Sequence, residues 1–139
     1  RKLVFKTTPV IPPHEKALSS LNQLKKEKIW QQGRVKEFYI KLSDTIRIYI
    51  EERYGIDAME MITSETLEKF KIYAQDDHLL LEILENLLNL SDMVKFAKED
   101  PAPVENETNL NNAFIFIEKT KPFEVLSEIN PKEKDITKK

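Results

Sequence analysis

The chain has no cysteine, so disulfides, thiolate nucleophiles and Cys-ligated zinc are all excluded, a usage that fits a reducing compartment. Glycine is nearly as scarce. With two glycines in 139 residues, the φ > 0 positions on which hairpin turns and phosphate-cradling loops depend are not supplied cheaply. That scarcity points away from β architecture, and no G-x-S-x-G elbow, Walker loop or Rossmann fingerprint is present. No apolar run approaches the roughly 20 residues that span a bilayer, and no segment resembles a signal peptide. A strong excess of one charge is also missing: a formal net charge of -2 leaves no overall positive field to attract nucleic acid or an anionic membrane surface.

What is present is the material for one helical core. Hydrophobic residues make up 40% of the chain and charged residues 33%, too apolar for a wholly disordered chain, and the length suits a single domain. Pro9, Pro12 and Pro13 mark residues 1–12 as an extended tether, with Pro13 in the first turn of a helix and Glu15 near its positive end. Ala17, Leu18, Leu21, Leu24 and Ile29 recur at helical spacing, and Gly33 is expected to end or bend that helix. Val35, Phe38, Tyr39, Leu42, Ile46, Tyr49 and Ile50 form a second stripe, closed by Gly55, with Ile40 and Ile48 off it. Thr63 is expected to cap a short helix that turns Leu67 and Phe70 inward. Asp76 and Asp77 offer the next cap, ahead of Leu79, Leu80, Leu81, Ile83, Leu84, Leu87, Leu88 and Leu90. Those residues cover more than half a helix circumference and predict deep burial. Ser91 and Asp92 are read as caps of a brief continuation that Pro101 and Pro103 terminate, and Leu110, Ala113, Phe114 and Ile117 carry a last helix. The expectation is an all-α, compact bundle of about five or six helices without significant sheet, over residues 13–121. Residues 122–139, rich in Lys and Glu, are expected to form a flexible tail, with docking of Phe123, Val125, Leu126 and Ile129 as a short helix the alternative.

Candidate chemistry is thin. His14 and His78 stand in no metal-ligand spacing, and Asp76, Asp77 and His78 are too close in sequence to converge on one ion, so capping is the better use. Glu51 and Glu52 are adjacent and followed by Arg53, as on a solvated helix face rather than in an acid–base dyad. Lys25, Lys26, Lys28 and Arg34 surround Trp30, a mixture found where single-stranded nucleic acid is stacked and neutralised. Against a helix-turn-helix, the helix from Thr63 opens with Glu65 and Glu68 where phosphate contacts want basic residues. No catalytic, cofactor-binding or metal-binding residue is expected, and the chain is not expected to be an enzyme.

Three stretches carry a family resemblance: Pro13-His14-Glu15-Lys16-Ala17-Leu18; Trp30-Gln31-Gln32-Gly33-Arg34-Val35-Lys36-Glu37-Phe38-Tyr39; and, within Leu42 to Thr63, Arg53-Tyr54-Gly55-Ile56-Asp57-Ala58-Met59-Glu60-Met61-Ile62-Thr63. With Asp92-Met93-Val94-Lys95-Phe96-Ala97-Lys98, they make the chain resemble the cytoplasmic C-terminal region of BatD-like membrane proteins over about residues 12 to 120. The matching residues are caps, a helix-ending glycine and core aromatics, which specify kinship rather than a reaction. Such proteins carry an extracytoplasmic part and one membrane span ahead of this domain, and are encoded in aerotolerance operons beside MoxR-type ATPases and von Willebrand A proteins. The resemblance therefore implies a non-catalytic, membrane-anchored accessory factor at the cytoplasmic face of the bacterial inner membrane. It also favours reading Arg1, Lys2 and Lys6 as residues just inside a membrane rather than beside an arbitrary boundary.

The implied partners are proteins, the ATPase or a von Willebrand A subunit, with no cofactor and no nucleic acid. Trp30, Arg34, Lys36, Met59 and Met61 are the candidate partner-binding residues, because aromatic, Arg and Met side chains are enriched in interface cores. For Trp30 and Met61 an ordinary place in the core or at a helix junction competes. The alternative function is a helical nucleic-acid-binding module using the basic cluster near Trp30.

Overall fold

Two prolines and one left-handed glycine set three of the helix limits. The computed structural model describes residues 10–123, and in them five α-helices and two short 3-10 turns occur with no strand. Pro13 opens α1 (Pro13–Glu27) and Pro103 opens α5 (Pro103–Thr120), each at a position where the missing N–H goes unused. Pro103 is thus a helix start, and neither it nor Pro101 stops the helix before it: that helix ends at Ala97, with Lys98 in the left-handed region at φ +58°. Gly55, at φ +73°, closes α2 (Val35–Tyr54), its N–H donating to Glu51 O at 2.9 Å. The other elements are α3 (Thr63–Ala74) and α4 (His78–Ala97), with 3-10 turns at Trp30–Gln32 and Ala58–Glu60.

Helices α1, α2, α4 and α5 form a ring in which each packs on the next and α5 closes back on α1, while α3 lies against α4. Cross-links give the directions. Lys16–Glu52 and Lys41–Glu27 pair α1 antiparallel to α2, Lys95 of α4 reaches Ser43 of α2, and Lys119 near the end of α5 meets Asp77 at the start of α4. The result is an up-down-up-down bundle. Its centre is filled by Leu21, Tyr39, Leu42, Ile46, Ile50, Leu84, Leu87, Phe70 and Phe116. Phe70 carries α3 into that core, its ring 5.5 Å from Phe116 and 5.2 Å from Tyr54.

Several local expectations are corrected. Gly33 does not end α1: Lys28 does, in the left-handed region at φ +48°, and Gly33 closes the 3-10 turn that follows. Thr63 is not a cap; it is the first residue of α3, and its hydroxyl is diverted to a buried polar network. Ser91 and Asp92 start nothing, because α4 runs unbroken through them: Ser91 Oγ bonds back to Leu87 O, and Asp92 faces α3. Asp77 does cap α4, accepting from Leu80 N at 3.0 Å. The burial of α4 is less complete than its leucine content suggests, since Leu79 is 57% exposed. Nine of the twelve tether residues and the tail from residue 124 onward lie outside the described residues.

Candidate functional site

Helix α2 organises the interior through three polar side chains on or beside its apolar stripe. Arg47, 7% exposed, points at the chain joining α2 to α3. Its Nη1 donates to Ala58 O at 2.7 Å, Met61 O at 3.0 Å and Thr66 Oγ1 at 3.1 Å, and its Nη2 donates to Thr63 Oγ1 at 2.8 Å. Thr63 Oγ1 in turn donates a hydrogen bond to Asp92 Oδ2 at 2.6 Å, so the arginine's counter-charge is reached through a hydroxyl. Burial lowers the Arg47 pKa from its ordinary value, opposed by the charges of Asp92 and Asp44. One α2 turn further on, Glu51 Oε2 accepts from Met59 N at 2.9 Å, so the same helix holds this loop by both its carbonyls and an amide.

The two buried tyrosines of α2 tie it to α5. Tyr39 donates to Asn106 Oδ1 at 2.6 Å; burial raises its pKa to about 12, with a hydrogen bond to Asn109 opposing the rise and the charge of Glu105 adding to it. Tyr49 lies 2.8 Å from Thr120 Oγ1. The one hydroxyl proton of Thr120 goes to Phe116 O at 2.7 Å, which leaves Tyr49 as the donor. Burial raises the Tyr49 pKa as well, with the Thr120 bond opposing it.

The sequence-selected residues fall into two groups. Trp30 is half-buried and walls a cleft of about 300 Å³ that Lys25, Lys28, Phe38, Glu107 and Asn111 also line. Arg34 is exposed but engaged at home: Nε and Nη2 each donate to the Glu37 carboxylate at 2.9 Å, and Nη1 to Gln32. Lys36 is exposed in the first turn of α2. Met59, 41% exposed, and Met61, half-buried against the core, stand instead on the loop that Arg47 holds. From Arg34 to Arg47 the helix rises about 20 Å, so the five residues do not form one surface.

Arg47 and the two tyrosine bonds were not singled out from the sequence. The available signal was weak: Ser43 and Arg47 are polar residues one turn apart at the edge of an apolar stripe, and which partners they meet depends on α3 and α4. The arrangement around Arg47 is structural chemistry. Thr63 Oγ1 close to a carboxylate superficially resembles a nucleophile and base, but Thr63 is 7% exposed, takes an arginine hydrogen, and lines neither the Trp30 cleft nor the grooves between α1 and α2 and between α4 and α5. Among the described residues, no group of three or more His, Asp or Glu side chains is placed to hold a metal ion. No family profile, curated protein or solved structure matches the chain.

Proposed function

We propose that this chain is a non-catalytic protein-docking domain, the cytoplasmic part of a membrane-anchored accessory protein of the BatD-like kind, with a MoxR-type ATPase or a von Willebrand A protein as its partner. One observation supports it best. Ile62, Ile72, Leu79, Phe96 and Val104 stand more than half exposed on or beside helices whose inner faces are fully packed. Large apolar side chains held outward on rigid elements are what a protein interface uses as anchors. Among the described residues no helix is long and apolar enough to cross a membrane, so anchoring would have to come from a segment outside them.

The test is direct binding. Purified domain is titrated with each purified operon protein by calorimetry, and a dissociation constant in the micromolar range or tighter is expected for at least one. Absence of heat and of co-elution with every one of them would overturn the reading.

The Trp30 cleft favours a second reading, nucleic-acid binding, because it sets two lysines beside an indole. Glu107 in the same cleft opposes it. A phosphate-driven mode shows as oligonucleotide binding at low salt that weakens steeply as salt rises.

A further inference from the structure

We propose that the loop between α2 and α3, together with Phe96 beside it, is the docking surface, and that it receives a basic peptide segment carrying a bulky apolar side chain. This rests on the protein-docking reading above and names the surface and the chemistry of its partner.

The loop is built as a display. Along it Ile56 and Ala58 turn into the core while Met59 and Ile62 turn out, Ile62 to 68% exposure. Arg47 holds it by two carbonyls and by the threonine hydroxyls of the following helix, and Glu51 holds it by the Met59 N–H. A segment tied at both carbonyl and amide positions keeps its outward side chains in place before a partner arrives, so little ordering entropy is lost on binding. Phe96 extends the same patch. Thr63 bonds Asp92, α3 and α4 run antiparallel from that bond, and Phe96 lies one turn past Asp92 on the same helix face. It therefore stands on the side from which the loop enters α3, and it is 78% exposed, with Lys95 Nζ 5.4 Å from its ring centre.

Charge selects the partner. Between Arg53 and Lys69 the chain carries Asp57, Glu60, Glu65 and Glu68 and not one Lys or Arg. Asp57, Glu60 and Glu65 are exposed and make no ion pair among the described residues; Glu68 pairs only with Lys71 across one helical turn. An apolar pair, Met59 and Ile62, is thus rimmed by unneutralised carboxylates. The complementary ligand has Lys or Arg around an aliphatic or aromatic anchor, and an acidic segment is repelled. Lys95 adds a positive charge at the Phe96 end of the patch, its ammonium donating to Ser43 Oγ and lying over the Phe96 ring, and the four carboxylates outnumber it.

The experiment uses a labelled amphipathic lysine–leucine peptide of about twelve residues, roughly three helical turns, and its glutamate–leucine counterpart, read by fluorescence anisotropy against the full chain. Binding of the basic peptide is expected, with the acidic one at least about tenfold weaker. The double variant Met59→Ser/Ile62→Ser, whose sites are exposed and whose fold is checked by circular dichroism, is expected to weaken the basic peptide about tenfold. Asp57→Lys/Glu60→Lys is expected to weaken it and flatten its salt dependence, while Ile72→Ser on α3 leaves it unchanged. Equal binding of the two peptides, no binding of either, or full affinity in the Met59→Ser/Ile62→Ser variant overturns the proposal. The same double variant is then titrated with whichever operon protein binds the native chain. Undiminished binding there sinks this surface while the docking reading stands; peptide binding through Ile62 without any operon partner keeps the surface and removes the partner assignment.

Discussion

Helix α4 and the loop between α2 and α3 are both held firmly, by forces of opposite character. The helix is fixed by Leu80, Ile83, Leu84, Leu87 and Leu88, whose burial is non-directional and worth roughly 1.5 to 3 kcal/mol each. The loop contributes Ile56 and Ala58 to the core, and beyond that is held by the directed bonds of Arg47 and Glu51. Packing places an element without dictating the conformation of each residue. Hydrogen bonds to named carbonyls do dictate it, which is why an irregular segment facing solvent is held this way.

The sharpest way to break the contrast is Arg47→Ala, which strands two carbonyls and two hydroxyls and leaves Asp92 without its relayed counter-charge. The expected loss is about 3 to 5 kcal/mol, read by urea denaturation, with proteolysis under native conditions concentrated at residues 55–62. A cut rate there equal to that of the native chain would show that the loop does not depend on this arginine. Leu84→Ala is the matching blow to packing. It is expected to cost about 2 to 5 kcal/mol, while proteolysis of the 55–62 loop rises only in step with global unfolding.

Tyr39→Phe should cost less, about 1 to 3 kcal/mol, because it leaves Asn106 Oδ1 buried without its donor. Its pH signature is specific. With the folded pKa raised from 10.0 to about 12, the Tyr39 contribution is fully present below 10.0 and is lost as pH rises through about 12. The variant should therefore lose part of the alkaline fall in stability that the native chain shows, as measured by chemical denaturation across that range.

Gly55→Ala is smaller still. A Cβ there meets nothing within 4 Å, so only the left-handed backbone opposes it, at about 1 to 2 kcal/mol by thermal melting. The gentlest probe is Asp77→Asn. The Leu80 N–H bond and, after it, Lys119 hold the Asp77 carboxyl below its usual value, so its contribution is present above the ordinary carboxylate range and is lost as pH falls through the depressed pKa. Asparagine keeps a capping oxygen and removes the titration, so the acid limb of the stability profile should flatten while stability near neutral pH changes little.

Residue pattern alone determined the helical class, the places of five helices and most of the core, because a 3.6-residue apolar period and proline and glycine punctuation act locally. It also marked Asp77 as a cap and Met59 as an exposed candidate. Only the tertiary structure decided that Thr63 serves a network rather than a helix end, that Asp92 lies inside a continuous α4, and that Trp30 and Met59 belong to different surfaces. Those outcomes depend on the partners of Arg47, 11 to 19 residues away in the loop and α3, and on the facing of α3 by α4. Such partners are brought within hydrogen-bond reach only when the helices pack, and a charged residue beside an apolar stripe carries no mark in the sequence of whether it will face water or the interior.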